Sequence, residues 1–402
     1  MEAALDRFVK ENNLHQCLEC GKCTGSCPIS RFEKSFSPRN IVENHLFRFA
    51  DPSVAKKIWG CLTCGLCRTR CPSDVSFPEF CEELRFLNYK SGVAPSQIYE
   101  FSGLINRNFN PVGLAHEFRT DWISFRTRWF KRLTSVRLDA GTQYKPLEQR
   151  NIIKDKARTV YFIGCVTSGY RANTGIADAT MQILLAANEN VGILGLDERC
   201  CGFPSILSGN LESFESLAKH NVEEIRKRDA EKVVFTCAGC YKNFKTNYPK
   251  LLGELGFQVF HISELLERYF ADGILSKPEP ESAVKVTYHD PCDLGRACNI
   301  FEPPRKVLSY LGVNFKEMQT NRENALCCGG GGLVKVTENN LSQNVSISRI
   351  REAEEAGADC IVSGCPNCRM TLANASEASK SKLKVLDIVE LAAQQLRIFP
   401  RE

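Results

Sequence analysis

The feature that most constrains this chain is a cysteine pattern that occurs twice between Cys165 and Cys368. Each copy contains a single cysteine, then an adjacent pair followed by glycine, and then a CxxC motif. The first copy comprises Cys165, Cys200, Cys201, Cys237 and Cys240, and the second comprises Cys292, Cys327, Cys328, Cys365 and Cys368. Corresponding cysteines are 127 or 128 residues apart. A constant internal offset indicates a duplicated structural unit.

Four roles can be considered for the cysteines of each unit. Buried thiols pack as small apolar groups, but packing does not explain the adjacent pairs or the shared register. Dense disulfides are typical of small secreted domains rather than chains of 402 residues. Zinc needs four ligands, usually from two spaced pairs, and five cysteines exceed that need. We favour iron–sulfur clusters, because thiolates are their standard ligands and adjacent cysteines suit a group with several metal centres.

A second duplicated pattern, CxxCxxCxxxCP, occupies the first 90 residues. Its two runs, offset by 44 residues, are Cys17, Cys20, Cys23 and Cys27, then Cys61, Cys64, Cys67 and Cys71. This spacing is typical of two-cluster bacterial ferredoxins, in which the fourth cysteine of each run binds the other cluster. It predicts two cubane 4Fe–4S clusters, one on Cys17, Cys20, Cys23 and Cys71, the other on Cys61, Cys64, Cys67 and Cys27. Two zinc knuckles are the alternative, and Cys81 is interpreted as a core residue.

Apolar residues around these runs recur at helical spacing, which predicts helices over Ser37–Ala50 and Phe77–Tyr89. From residue 158 onward, strand-like and helix-like segments alternate instead. The strands predicted at 158–164, 191–194, 232–236 and 258–261 have counterparts at 283–289, 313–317, 359–363 and 384–386. This alternation indicates parallel sheets, whose carboxyl ends bind ligands. Each group of cysteines follows a predicted strand, so we expect the cysteines of each half to converge.

The duplicated pattern resembles the CCG domain of heterodisulfide reductases and their relatives. The resemblance implies that the five cysteines of each half hold a noncubane 4Fe–4S cluster and that the two clusters face one pocket. The N-terminal runs are similar to the all-helical electron-entry subunit of that family, so the chain resembles a fusion of the two subunits. The implied catalytic residues are Cys165, Cys200, Cys201, Cys292, Cys327 and Cys328, and the implied cofactor-contacting glycines are Gly202, Gly329 and Gly330.

The predicted fold class is therefore α+β and multidomain. It comprises an all-helical two-cluster ferredoxin domain (1–90), a helical connector (91–157) and two duplicated α/β CCG domains (158–271 and 283–402), joined by a linker at 271–282. The connector is rich in tryptophan and arginine. It is interpreted either as a helix that packs the ferredoxin region onto the rest with its arginines in solvent, or as a surface for a partner or membrane. An extended segment is predicted at 141–150.

Several residues near the second half of the pattern are open to more than one interpretation. The glycines at 329–332 permit close approach to a cluster and leave room for a substrate; no G-K-[ST] ending supports a phosphate-binding loop. The first half has Phe203 and Pro204 there, so the second site is expected to be more open. His289 is either a proton donor near a cluster or structural, and His261 is interpreted as structural. Cys298 and Cys360 are assigned to the core, with Cys298 nearer the site.

Composition excludes several classes of protein. Hydrophobic residues make up 43% and charged residues 25% of the chain, as in ordinary globular proteins. The net charge of +5 arises from interleaved basic and acidic residues and does not indicate a nucleic-acid partner. Residues 1–13 lack the apolar core of a signal peptide, and no run approaches the roughly 18 apolar residues of a membrane span. We therefore expect a cytoplasmic protein, peripheral to the membrane only through a partner.

The resemblance implies an anaerobic iron–sulfur oxidoreductase subunit. Electrons would enter singly through the cubane clusters and pass to the paired noncubane clusters, which reduce a disulfide; in methanogens this is the mixed disulfide of coenzyme M and coenzyme B. The alternative is an electron-transfer subunit without its own substrate, as in anaerobic glycerol-3-phosphate, lactate or glycolate dehydrogenases or benzoyl-CoA-type reductases. Flavin, haem and dinucleotide fingerprints are absent from the sequence, so a flavoprotein or membrane cytochrome is the expected electron donor.

Overall fold

The computed structural model describes residues 2–46, 56–134, 143–279 and 284–399. Residues 2–46 and 56–90 form helices joined by turns and contain no strand. The α-helices are Glu2–Glu11, Lys22–Ser26, Pro38–Leu46, Leu66–Thr69 and Phe77–Lys90. The helix predicted over Ser37–Ala50 is present up to Leu46, and its last four residues lie outside the described part.

Helix Phe77–Lys90 connects this N-terminal region to the rest of the molecule. Pro78 stands in its first turn, where a missing N–H costs nothing. Its Arg85 is fully buried, and the guanidinium donates hydrogen bonds to the carbonyl oxygens of Ile58 (2.9 Å), Cys61 (2.8 Å) and Leu207 (3.4 Å). A buried guanidinium is costly unless its donors are satisfied. Arg85 therefore holds the second cysteine run against a helix of the following half.

The first duplicated half is a four-stranded parallel sheet with strand order β2-β1-β3-β4. Its strands are β1 (Thr159–Phe162), β2 (Val191–Gly192), β3 (Lys232–Phe235) and β4 (Gln258–His261). Its main helices are Thr174–Ala186, Phe203–Ser208, Leu211–Lys227, Ala238–Lys242, Tyr248–Leu252 and Ile262–Ala271. Strands β1 and β3 are almost entirely buried, which explains their continuous apolar sequences.

The second half repeats this topology with strand order β6-β5-β7-β8, also parallel. Its strands are β5 (Lys285–His289), β6 (Asn314–Phe315), β7 (Cys360–Ser363) and β8 (Lys384–Asp387), and its helices are Glu302–Tyr310, Val334–Thr337, Asn339–Glu355, Pro366–Ala378 and Ile388–Gln395. The duplication and the α+β fold class are thus confirmed. The edge strands β2 and β6 are only two residues long, shorter than predicted, which reduces exposed backbone at the sheet edges.

Helices from the two halves pack together in one apolar core. Helix Ile262–Ala271 packs on Glu302–Tyr310, and helix Thr174–Ala186 packs on Ile388–Gln395. Buried residues of both sheets, including Tyr161 and Tyr288, belong to the same cluster. The packing brings the carboxyl edges of the two sheets towards each other.

His261 lies at the junction between the halves and has the structural environment expected of it. Its side chain caps helix Ile262–Ala271 by accepting from the backbone N–H of Ser263. The opposite ring nitrogen, Nε2, lies 3.2 Å from the Thr236 carbonyl and 3.1 Å from that of Gly364. Burial lowers the pKa of His261 to about 4, so the ring is neutral and Nε2 donates to these carbonyls.

The connector forms helices Ser96–Asn108, Asp121–Thr134 and Gln149–Ile152. The expectation that its arginines lie in solvent is wrong for two of them, because Arg119 and Arg126 are each 4% exposed. Arg119 pairs with Glu198 and Arg126 with Asp178, two buried carboxylates of the first half. Buried carboxylates require such partners. Residues 143–148 form neither helix nor strand, in line with the extended segment predicted at 141–150, but that prediction is wrong for 149–150, which begin the helix Gln149–Ile152. Residues 141–142 of that segment and 280–282 of the predicted interdomain linker lie outside the described part.

The glycine run of the second half lies directly against the second cysteine run. A Cβ on Gly331 would lie 2.5 Å from the carbonyl oxygen of Leu62, and one on Gly332 would overlap that of Cys61. These glycines therefore permit close backbone contact with the N-terminal region.

Replacing Gly332 by alanine tests this contact. Gly332 has φ +58°, so alanine there has the cost of a left-handed backbone. Its Cβ also clashes with the Cys61 carbonyl oxygen. Gly357→Ala is the matched control, because Gly357 has φ +74° with no atom within 4 Å of the added Cβ. We expect the control to lower the free energy of unfolding by about 1 kcal/mol and Gly332→Ala to lower it by a further ~1–3 kcal/mol, measured by urea denaturation. Equal losses would contradict the close contact.

Candidate metal centre

The ten cysteines of the duplicated pattern form one continuous row, in which eight are buried and Cys237 and Cys292 are half-buried. In each half the single cysteine contacts the first of the adjacent pair, the second of the pair contacts the last cysteine of the CxxC, and the two CxxC cysteines contact each other. Across the junction, the Cys237 thiol contacts that of Cys365. The row runs through Cys165, Cys200, Cys201, Cys240, Cys237, Cys365, Cys368, Cys328, Cys327 and Cys292.

The strand order explains why these cysteines meet. Cys165 begins the helix that follows β1, and Cys237 is the N-cap of the helix that follows β3. In the second half, Cys292 comes three residues after the end of β5, and Cys365 is the N-cap of the helix that follows β7. Because neighbouring parallel strands end at the same edge, their loops place these side chains together, as the sequence predicted.

The glycine that follows each cysteine pair allows the turn between the pair and the next helix. Gly202 and Gly329 have φ of +81° and +86°, and a Cβ on Gly329 would lie 2.5 Å from the Ser342 carbonyl oxygen. The N–H groups of Gly202 and Gly329 each lie 3.4 Å from the sulfur of the first cysteine of their pair, and that of Gly330 lies 3.4 Å from Cys328 Sγ. Backbone donors of this kind stabilise thiolate charge.

A cavity of about 290 Å³ opens between the two halves. Its wall includes all five cysteines of the first half together with Cys292 and Cys365. Apolar side chains, among them Phe203 and Met370, form much of the rest, and Lys335 is a cation in the wall. Gly330–332 line it from the side of the N-terminal region. Seven of the ten cysteines of the row therefore line one shared pocket, whereas Cys327, Cys328 and Cys368 do not.

The connector contributes a cation that sequence reasoning missed. The Arg119 guanidinium donates to Cys165 Sγ at 3.8 Å and is ion-paired with Glu198. Glu198 in turn accepts from the N–H groups of Ile163 (2.9 Å) and Gly164 (2.8 Å), just before Cys165. A fixed positive charge beside a thiolate stabilises it. The basic residues of the connector were visible in the sequence, but nothing local distinguished Arg119 from its exposed neighbours.

The N-terminal cysteines lie in two places, and Cys67 borders both. Cys17, Cys20, Cys23 and Cys71 line a small cavity of about 30 Å³, which Cys67 also borders. Cys27, Cys61, Cys64 and Cys67 form a second, more buried group, in which the thiols lie close enough for ionisation of one to disfavour ionisation of another. Gly21 and Gly65 have φ of +73° and +76°, as tight turns around such groups require. Cys20 is exposed, whereas the second group lies deeper, next to the duplicated halves.

Cys64 joins this second group to the thiol row. Contact with the Cys327 thiol and the charge of Arg296 lower the pKa of Cys64 to about 6, against the effect of burial. Arg296 donates from Nε to the Cys64 carbonyl (2.6 Å) and from Nη1 to that of Ala325 (2.8 Å). The sequence predicted both cysteine groups, but not that they meet at Cys64 and Cys327.

The chemistry of these donors fits iron–sulfur groups. Burial raises the pKa of Cys27 to about 12 and that of Cys67 well above its ordinary value, and contact with Cys237 raises the pKa of Cys365 to about 12. Thiols packed this closely cannot all ionise in an apolar interior without a compensating cation. Coordination to metal deprotonates such thiols. Cys81, Cys298 and Cys360 lie outside the row: Cys81 and Cys360 are buried, and Cys298 is half-buried.

These features define a class of protein, an iron–sulfur oxidoreductase subunit built on duplicated cysteine-rich domains. Sequence profiles agree: the cysteine-rich domain matches residues 159–245 and 286–373, and the 4Fe-4S dicluster domain matches residues 13–75. The chain belongs to the family of the heterodisulfide reductase D subunit. It is 35% identical to the D subunit of the dihydromethanophenazine:CoB--CoM heterodisulfide reductase of Methanosarcina acetivorans, over 95% of this chain and 94% of that protein.

Two further proteins show weaker similarity. The EtfAB:quinone oxidoreductase of Syntrophomonas wolfei is 26% identical over 94% of this chain and 58% of its own length. A hypothetical protein from Helicobacter pylori is similar in structure, with a TM-score of 0.56 at 10% identity, over 98% of this chain and 73% of that chain. That likeness concerns the fold alone.

The predicted ligands can be tested by comparing two buried cysteines. Cys240→Ala removes a member of the row, whereas Cys360→Ala alters a core cysteine of β7. We expect Cys240→Ala to lose about four iron atoms per chain, the content of one 4Fe–4S group, and Cys360→Ala to keep the wild-type content. Iron and acid-labile sulfide are measured on protein purified without oxygen. Equal iron content in the two variants would remove Cys240 from the ligand set.

Proposed function

We propose that this chain is the catalytic subunit of an iron–sulfur disulfide reductase. The observation that carries the proposal is the row of ten thiols, which is continuous across both halves and borders a single cavity through seven of its members. In this proposal the ligands of two noncubane 4Fe–4S clusters are the five cysteines of each half. Two cubane clusters bind to Cys17, Cys20, Cys23 and Cys71 and to Cys61, Cys64, Cys67 and Cys27.

The proposed domains follow from the same assignment. Residues 1–90 form an all-helical ferredoxin unit, 91–157 a connector, and 158–271 and 283–402 the two CCG domains. The helical N-terminal elements and the direct contact between Cys64 and Cys327 support this division. We place the protein in the cytoplasm; no described helix is long and apolar enough to cross a membrane.

Reduction of a disulfide consumes two electrons and two protons and yields two thiols. Iron–sulfur clusters supply electrons one at a time, so a pocket bordered by two cluster sites suits this reaction. Apolar side chains such as Phe203 limit water in the pocket, and Lys335 provides positive charge for an anionic substrate or product. Lys335 Nζ is 3.3 Å from the Thr371 hydroxyl, so its ammonium is positioned by the helix that begins after Cys365.

Similarity to the heterodisulfide reductase D subunit supports this reaction, because that relative matches this chain over nearly its whole length. The mixed disulfide of coenzyme M and coenzyme B is the first substrate to test. A flavoprotein or a membrane cytochrome is the proposed electron donor. It would dock near the first cysteine group, where Cys20 and Leu18 are exposed.

The second candidate function is an electron-transfer subunit without its own substrate. The match of nearly the whole chain to the EtfAB:quinone oxidoreductase favours it, because that relative is named as an oxidoreductase acting between EtfAB and quinone. Under this alternative, the thiol row holds redox groups that pass electrons to a partner. The same assay decides between the two functions.

The test is a reductase assay on the anaerobically purified chain. Reduced viologen is added, and its oxidation is followed after addition of the coenzyme M–coenzyme B disulfide or a simple disulfide. We expect rapid oxidation by wild-type protein. Cys237→Ala should abolish at least nine-tenths of the rate, because it removes a ligand at the junction of the halves, whereas Cys298→Ala should retain it. A fully iron-loaded wild-type protein that oxidises no viologen with any disulfide would contradict the proposal and favour electron transfer to a partner.

A further inference from the structure

His289 is a buried histidine whose environment determines where its proton lies. The side chain stands at the end of β5 and is 1% exposed. Its Nδ1 accepts a hydrogen bond from Arg349 Nε at 3.1 Å. A guanidinium has donors and no acceptor, so Nδ1 cannot carry the proton. The imidazole is therefore the neutral tautomer with its proton on Nε2.

Arg349 holds this tautomer rigidly. It is fully buried in helix Asn339–Glu355. Its Nη1 donates to the Thr320 carbonyl (2.9 Å), the Thr320 hydroxyl (3.0 Å) and the Glu352 carboxylate (2.5 Å). The guanidinium is thus fixed by three hydrogen bonds from Nη1, and its Nε is aimed at His289.

The remaining nitrogen of His289 faces the thiol row. Among the residues that the structure describes, no nitrogen or oxygen atom accepts a hydrogen bond from the buried Nε2, and the Cys328 thiol is the group that interacts with the ring. A ring nitrogen of His289 and the sulfurs of Cys328 and Cys368 lie within 4.8 Å of one another. Because Nδ1 is occupied by Arg349, Nε2 is the nitrogen available to them. An unpaired buried N–H is costly, which points to an acceptor at this place.

The described residues of the first half have no such donor at the equivalent position, and the donor near that half is Arg119, which contacts Cys165 instead. At the duplication offset of 127 residues, His289 corresponds to Phe162, which is buried against the rings of Phe235 and Phe244. Arg349 likewise corresponds to Val222. The two halves therefore offer different surroundings to otherwise matched cysteines.

We propose that His289, positioned by Arg349, donates a hydrogen bond from Nε2 to a sulfur of the iron–sulfur group held by the second half, and that this bond raises the reduction potential of that group. The inference rests on the proposed function, because it requires an iron–sulfur group on Cys328 and Cys368. Hydrogen bonds to cluster sulfurs are an established control on potential, and a donor stabilises the more negative, reduced state. Arg349, which acts through His289, is the positioning residue, and the bond from His289 contributes to a difference in potential between the two groups of the pair.

The test compares His289→Phe with His289→Gln in the anaerobically purified full chain. His289→Phe installs the residue that the first half already has, and His289→Gln keeps an N–H donor. Reduction is titrated by EPR spectroscopy, with iron and sulfide content as the check on assembly. We expect His289→Phe to keep its iron while the oxidised-to-reduced ratio of one group rises about tenfold at a fixed potential, equivalent to about 59 mV for one electron. His289→Gln should recover most of this shift.

Pulsed EPR on protein labelled with ¹⁵N-histidine gives a second readout. A hyperfine coupling from one histidine nitrogen is expected in wild-type protein and in Phe162→Leu, and is expected to be absent from His289→Phe. An unchanged potential and coupling in His289→Phe would overturn the inference while leaving the reductase proposal intact. Loss of about four irons in that variant, the content of one 4Fe–4S group, would show a ligand rather than a donor. A wild-type chain with only about eight irons, the content of two cubane clusters, would overturn both proposals.

Discussion

Contact between the Cys237 and Cys365 thiols is the interaction on which the architecture of this molecule depends. Each CxxC lies at the carboxyl end of a central strand, so the contact requires the two sheets to face each other edge to edge. Helix packing between the halves supplies that arrangement, and His261 and the ion pair of Lys242 with Asp293 bridge the same junction. With the sheets so placed, two five-cysteine sites become one row beside one cavity. Duplication of a strand–loop–helix unit thus brings two sets of five thiols together at one junction.

A second constraint is the close packing of the N-terminal region on the second half. Arg85 of the N-terminal region and Arg296 of the second half donate hydrogen bonds to the carbonyl oxygens of the second cysteine run. The glycines at 331 and 332 leave no space for side chains between the two backbones. Cys64 consequently reaches Cys327 rather than the first half. The N-terminal region therefore meets the duplicated pair asymmetrically, although the pair itself is nearly symmetric. His289 adds a further difference between the halves, because its counterpart is Phe162.

Much of this arrangement could be predicted from the sequence, because metal-ligand spacing and strand–helix alternation are local signals. The two internal offsets predicted the duplication, the strand–helix alternation predicted the parallel sheets, and the position of the cysteines after predicted strands predicted their convergence. Contacts between distant segments had no such signal. The burial of Arg119 depends on Glu198, 79 residues away, and the partner of Cys64 is 263 residues further along the chain. The sequence predicts that the glycines at 331 and 332 permit close approach to a cluster and leave room for a substrate. Their tight packing against Cys61 and Leu62 is visible only in three dimensions.

The most direct measurement is the location of iron in crystals grown without oxygen, from anomalous scattering at the iron absorption edge. We expect two iron groups within residues 1–90 and two more beside the thiol row, one bordered by Cys201 and Cys240 and the other by Cys328 and Cys368. The last two should face the same cavity, and the group beside Cys328 should lie within hydrogen-bond distance of His289. Iron confined to the N-terminal region, with the ten thiols of the duplicated halves free or paired as disulfides, would contradict the paired redox site.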